Sequence, residues 1–152
     1  MMQELNLPSY KYRLRKQNDQ IQIFDEIRKK YVALTPEEWV RQHFIMYLIE
    51  QKKVPASLMI LEKQITMNTM SRRPDILVHD KSGTPVMIVE CKAPEVEISQ
   101  DTFDQIARYN SVIKAPFLVV TNGMKHYICQ MDLKENTYRF LEDVPAYEDL
   151  CV

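Results

Sequence analysis

Three residues near the middle of the chain carry types and spacings that suit phosphodiester chemistry. Glu90, Cys91 and Lys92 close the run Pro85-Val-Met-Ile-Val89, which is apolar on both faces. On a strand, positions two apart share a face, so Glu90 and Lys92 point one way and Cys91 the other, where a buried, inert thiol is expected. Asp75 begins the preceding apolar run. If residues 73–79 and 85–92 pair as an antiparallel hairpin, Asp75 comes to lie near Glu90. Two carboxylates meeting there repel unless a cation lies between them. Hard, oxygen-ligated Mg²⁺ suits such a pair, with Mn²⁺ as a substitute, its remaining ligands being water and substrate phosphate. Lys92 then orients or deprotonates the attacking water, or stabilises charge building on the phosphate. A plainer account fits the same spacing: a structural Glu–Lys salt bridge at a strand end, with Asp75 capping a turn.

The elements that must position these residues follow from the hydrophobic pattern. Residues 10–16 and 20–25 flank the polar turn Gln17-Asn18-Asp19 and predict a hairpin. Thr35-Pro36-Glu37-Glu38 is a helix start, with Thr as N-cap, Pro in the first helical position and Glu38 as capping-box acid. That helix runs to about Gln51. Strands are expected over 57–66, 73–79 and 85–92, the last two joined by the turn Asp80-Lys81-Ser82-Gly83. The third reads as central and covered on both sides. A helix over 100–114 turns Phe103, Ile106, Ala107 and Ile113 inward. Strands at 117–122 and 125–132 follow, and the tail carries Leu141, Val144 and Tyr147 with which to dock. Three strands, a crossover helix and a further strand predict an α/β fold, a mixed sheet with helices on both faces.

Composition excludes several alternatives. With 152 residues the chain suits one domain, with a hairpin at about 10–25, a core at about 35–132 and a tail at 133–152. Two glycines, Gly83 and Gly123, cannot supply a phosphate-cradling loop or a dinucleotide fingerprint. Three cysteines at wide spacing match neither a disulfide framework nor a zinc site. No apolar run spans a membrane and the N-terminus lacks a signal-peptide layout, so a cytoplasmic protein is expected. At a net charge of −1, any nucleic-acid surface must be local. Lys11, Arg13, Arg15, Arg72 and Arg73 are candidates for phosphate contact, with scattered surface charge as the alternative. His43 reads as packing, and Trp39, Phe44 and Phe103 as core.

Pro74-Asp75 followed by Glu90-Cys91-Lys92 resembles the signature of PD-(D/E)XK nucleases. Gln105-Ile-Ala-Arg-Tyr109 resembles the QxxxY motif that follows this core in type I restriction enzyme R subunits. Thr35-Pro-Glu-Glu-Trp-Val-Arg41 resembles the opening helix of the N-terminal domain of those subunits. The match runs from about residue 10 to 132. The resemblance implies a restriction-endonuclease-like α/β fold and a Mg²⁺-dependent endodeoxyribonuclease. It makes Asp75 and Glu90 metal ligands and Lys92 the catalytic lysine. Glu38 becomes the helix glutamate completing the acidic cluster, with Glu37 able to serve instead and Glu62 ranked lower. Gln105 and Tyr109, four apart on one helix face, would hold DNA or position the active site. Full R subunits carry motor domains that are absent here. The expectation is therefore a stand-alone relative, or one working with a separate motor or other restriction-modification subunits, with a homo-oligomer left open. A catalytically silent DNA- or partner-binding module is the rival, and a structural or regulatory protein the third option.

Overall fold

The computed structural model describes residues 2–62, 65–67, 70–72 and 74–151, with 65–67, 70–72 and 109 described for their backbone only. Strands β1 (Leu14–Gln17), β2 (Gln20–Asp25) and β3 (Lys30–Ala33) form an antiparallel sheet in that order. The expected hairpin is present, with a shorter first arm, and turns at Asn18 and Asp19. Both hold positive φ, 53° and 62°, a conformation these two residue types tolerate better than most. Strand β3 is not legible in the sequence, because Lys-Tyr-Val-Ala is too short to establish a period.

Helix α1 (Pro36–Glu50) starts as its sequence predicts, with the Glu38 N–H donating to Thr35 Oγ1 at 3.0 Å. The strand expected over 57–66 is broken instead. A 3₁₀ turn at Ala56–Leu58 leads into β4 (Met59–Leu61), and Glu62 then takes a left-handed φ of 54° that ends the strand. The chain goes on to a separate small hairpin, β5 (Ile65–Met67) with β6 (Met70–Arg72).

The main sheet is built from β7 (Ile76–His79), β8 (Pro85–Cys91), β9 (Phe117–Thr121), β10 (His126–Asp132) and β11 (Thr137–Leu141), with helix α2 (Gln100–Ile113) between β8 and β9. Its order is β11-β10-β9-β8-β7-β4. Only β8 and β9 are parallel, as a helical crossover requires. The mixed sheet with a helix on each face is thus what the chain forms. Alternate residues divide between two apolar layers. Ile76, Val78, Met87, Val89 and Val119 pack with Val40, Phe44, Ile45 and Leu48 of α1. Leu77, Ile88, Leu118 and Val120 pack with Ile106, Phe103 and Ile113 of α2. Ala107, expected to face inward, lies on the exposed side of α2.

The tail docks. Strand β11 adds an edge to the sheet, and Val144 and Leu150, the last residue of the short helix α3 (Tyr147–Leu150), are each only 2% exposed. Gly123, at φ 85°, lets the N-terminal segment press against the sheet. A Cβ there would stand 2.8 Å from Leu5 Cδ2 and 3.1 Å from Val40 Cγ2, a clash that would push the segment away.

Candidate functional site

The β7–β8 register pairs Ile76 with Val89, so Asp75 and Glu90 face each other one step beyond. Both are 6% exposed. Asp75 Oδ2 accepts the Cys91 N–H at 2.7 Å, and Oδ1 stands 3.4 Å from Arg41 Nη2. Glu90 Oε2 is buried with no hydrogen-bond partner. Burial, and then the facing Asp75 carboxylate, push the Glu90 carboxyl up to about 9, against the opposing pull of the Lys92 ammonium. Lys92 continues the ladder past Cys91, its N–H donating to the Thr121 carbonyl at 2.8 Å. Among the described residues no ion pair within 4.0 Å joins Lys92 to Glu90. The simple strand-end salt bridge is therefore not what these residues form.

Helix α1 brings two carboxylates to this end of the sheet, and they have different surroundings. The Glu38 side chain does not close a capping box, since the Thr35 N–H donates to the Ala33 carbonyl. Its Oε1 is 3.1 Å from Arg28 Nη2, and its Oε2 accepts the Gln42 amide at 3.0 Å and lies 3.6 Å from Arg41 Nε. Glu37 keeps 47% of its side chain exposed. Its pKa is raised by burial first and then by Asp75, while Arg41 and Lys92 act in the opposite direction. Glu37 is thus the helix carboxylate in the electrostatic field of Asp75, Glu90 and Lys92, and Glu38 is held by guanidiniums.

Two arginines organise the cluster, and sequence reasoning gave neither a role. Arg41 has a side chain only 5% exposed and pairs with Glu62 at 2.9 Å as well as with Asp75, Glu38 and, at 3.8 Å, Glu37. Burial alone would lower its pKa, but Asp75 and Glu38 outweigh burial and raise it. Arg28 pairs with Asp25 at 2.7 Å, Glu38 at 3.1 Å and Glu62 at 3.2 Å. Asp25, with no exposure, also accepts the N–H groups of Ile27 and Arg28 and the Gln42 amide, which fastens the N-terminal sheet to α1. The available signal was helical spacing: Arg41 follows Glu37 by four and Glu38 by three, so all three share a face.

The remaining sequence candidates are distributed as follows. Gln105 is half-buried on α2, which packs on β8 and β9, and among the described residues no hydrogen bond ties it to the carboxylates. Tyr109 is placed on α2 by its backbone, but its side chain lies outside the described residues, as do the Arg72 side chain and all of Arg73. Cys91 is buried in the α1-side core. His43 packs between Trp39 and Tyr12 with Nδ1 at 2.9 Å from the Trp39 carbonyl, a structural role.

The donor set fits a hard cation. Asp75, Glu90 and Glu37 offer oxygen only, and Glu90 Oε2 is a buried acceptor without a donor. Among the described residues no three His, Cys, Asp or Glu side chains converge tightly enough to enclose an ion by themselves. An ion there would complete its shell with water or phosphate, as Mg²⁺ commonly does.

Residues 36–145 match the family model described as type I restriction enzyme R protein N terminus. The chain belongs to that family. The restriction-endonuclease-like fold expected of it also has a solved counterpart, a fragment described as an HsdR subunit of a type I restriction enzyme from Vibrio vulnificus YJ016. The TM-score is 0.53 at 17% identity, over 78% of this chain and 25% of that one, so this likeness concerns the fold. The chain spans about a quarter of that protein's length. No curated protein sequence matches. Among the described residues no helix is long and apolar enough to cross a membrane.

Proposed function

We propose that the chain is a metal-dependent DNA nuclease domain of the type I restriction R-protein kind, cutting phosphodiester bonds at the Asp75–Glu90 pair. One observation carries this reading: two buried carboxylates meet at a strand end, and one of them keeps an oxygen with no partner. Facing carboxyl groups in an interior carry a desolvation cost and mutual repulsion, so a fold built for stability alone would not place them together. In this reading Asp75 and Glu90 hold Mg²⁺, or Mn²⁺ in its place, and Glu37 supplies the helix carboxylate in preference to Glu38. When bound, the metal polarises the scissile phosphate and lowers the pKa of its water. Lys92, on the Glu90 face of β8, orients that water or neutralises charge on the phosphate. Gln105 and Tyr109, with Arg72 and Arg73, are the DNA contacts this reading expects. The working partners are DNA and other restriction-modification subunits or a separate motor, in the cytoplasm.

The test is the thermal midpoint with and without millimolar Mg²⁺ or Mn²⁺, followed by a plasmid-cleavage assay. A ligand that binds only the folded state raises its stability by mass action, so the metal is expected to raise the midpoint in the wild type and not in Asp75→Ala. Cleavage that survives in Asp75→Ala would overturn the reading. The rival, a silent binding module, has its own supporting observation. Arg41 already stands 3.4 Å from Asp75, supplying a positive charge where a cation would help. That module would bind DNA with no midpoint response to metal.

A further inference from the structure

The exposed face of the N-terminal sheet carries two guanidiniums, each placed over an aromatic ring. The Arg13 guanidinium carbon stands 4.0 Å from the Phe24 ring centre, and that of Arg15 stands 4.0 Å from the Tyr31 ring centre. The strand register builds this arrangement. Leu14 pairs with Ile23 and Ile23 with Val32, so Arg13, Phe24 and Tyr31 form one row, and Arg15, Gln22 and Ala33 the next row of the same face. In-plane hydrogen bonds hold both groups, Arg15 Nε to Gln22 at 2.7 Å and Arg13 Nη2 to Glu26 at 3.0 Å. The other face turns the fully buried Ile23 and Asp25 inward.

The charge of this region departs from that of the chain. Seven Lys or Arg stand against three Asp or Glu between residues 11 and 31, while the whole chain is at −1. Asp25 and Arg28 pair internally, which takes one charge of each sign out of that count and leaves the excess of four. The sheet that carries this strip is also tied to the candidate site, from its inward side. The β2–β3 turn carries Arg28, which reaches Glu38 and Glu62, and both of these pair with the Arg41 that sits on Asp75.

We propose that this face is a stacking platform for an unpaired nucleic-acid strand running to the Asp75–Glu90 site, an inference that rests on DNA being the substrate. Bases stack on the outer planes of the Arg13 and Arg15 guanidiniums, and Lys11 takes a phosphate. Guanidinium planes and aromatic rings are the groups on which unpaired bases are splayed. Stacking on Phe24 and Tyr31 fixes the arginines before any strand arrives, so binding loses less side-chain freedom. Guanidiniums held over rings of their own sheet by hydrogen bonds to Gln22 and Glu26 do not project into a groove, which is how arginine reads a duplex.

The experiment is fluorescence anisotropy of the full chain with labelled oligothymidine and with a duplex of equal length, in EDTA and across a salt series. Arg13→Gln with Arg15→Gln is expected to weaken single-strand binding by about tenfold or more. It should also reduce the slope of log K against log salt by about 0.7 per cation removed. Arg13→Lys with Arg15→Lys keeps the charge and the salt slope but loses the planar stack, and is expected to remain weak. Lys134→Gln, on the far β10–β11 turn, should bind as wild type. No wild-type binding, full affinity in the double-lysine variant, or equal dependence of duplex binding on both arginines would each overturn the proposal. The site reading fails separately: Arg-dependent binding without any metal-dependent cleavage sinks the nuclease and leaves the platform standing.

Discussion

The two ends of the β7–β8 hairpin each carry an aspartate, and the contrast between them separates structural from chemical use of the same side chain. At the turn end, Asp80 Oδ1 accepts the N–H groups of Ser82 and Thr84, both at 2.9 Å, in the local bonding that turns favour. That aspartate sits at the surface. At the other end Asp75 is buried against a second carboxylate, shares Arg41 with Glu62 and Glu38, and faces a Glu90 oxygen with no partner. The turn uses one carboxylate oxygen and leaves the other at the surface. The strand end buries two facing carboxyl groups, one of which is held in its protonated form, and that buried pairing separates a candidate site from a cap.

The comparison breaks most visibly if chemistry does not follow the buried pair. Lys92→Ala is expected to lower cleavage by about 10²–10³-fold, the usual loss on removing one group that stabilises transition-state charge. The metal-induced rise in thermal midpoint should persist, because Lys92 is no ligand in this scheme. Asp75→Ala should lose both responses, and Asp80→Ala neither. A Lys92 variant that cleaves normally would reduce this strand end to an ion-pair network.

Arg41 makes the next largest difference, now in stability. Removing one partner of a buried ion pair leaves the others uncompensated, which typically costs about 3–5 kcal/mol. Arg41→Ala should therefore lower the denaturant midpoint, chiefly by taking its guanidinium from the buried Asp75, while Glu38 and Glu62 keep Arg28. Added Mg²⁺ should recover part of the loss if a metal can take up that charge. An Arg41→Ala protein as stable as wild type would mean that the cluster is hydrated and the contrast with Asp80 weaker than drawn.

Much of this arrangement was legible in the sequence, for reasons that explain what was not. The β7–β8 hairpin follows from two apolar runs and Asp80-Lys-Ser-Gly83, and its register brings Asp75 to Glu90. The α1 start follows from Thr35 and Pro36. Local patterns of this kind carry their own period or cap. Arg28, Arg41 and Asp25 act through contacts across elements, and β3, which ends the turn holding Arg28, is too short to show a pattern. The choice between Glu37 and Glu38 stayed open in the sequence because adjacent helix residues differ by about 100° of azimuth, and only the placement of Arg28 and Gln42 separates them.

Glu90 gives a smaller, pH-dependent effect. Its carboxyl is raised in the folded chain to about 9, so between about pH 4.5 and 9 the folded state holds a proton that the unfolded state lacks. Its stabilising contribution is complete below the unfolded pKa and is lost as pH rises through the folded value. Glu90→Gln keeps the neutral form at every pH and should flatten the fall in stability across that window. Metal binding favours the carboxylate, so Mg²⁺ affinity should rise with pH and binding should release a proton, which calorimetry in buffers of different ionisation enthalpy would detect. A wild-type stability profile as flat as that of Glu90→Gln would contradict the burial argument.

Asp80→Ala is expected to have the smallest effect, and it controls the whole contrast. Two N–H groups lose their acceptor, but the turn is solvent-exposed and water replaces the carboxylate, so a loss of about 1 kcal/mol is expected. The loss should be the same with and without Mg²⁺, because Asp80 lies at the opposite end of both strands from Asp75. If Asp80→Ala instead abolished a metal-induced rise in midpoint, the ion would belong to the turn. The Asp75 carboxylate would then need another cation, and Arg41 is already in position to be it.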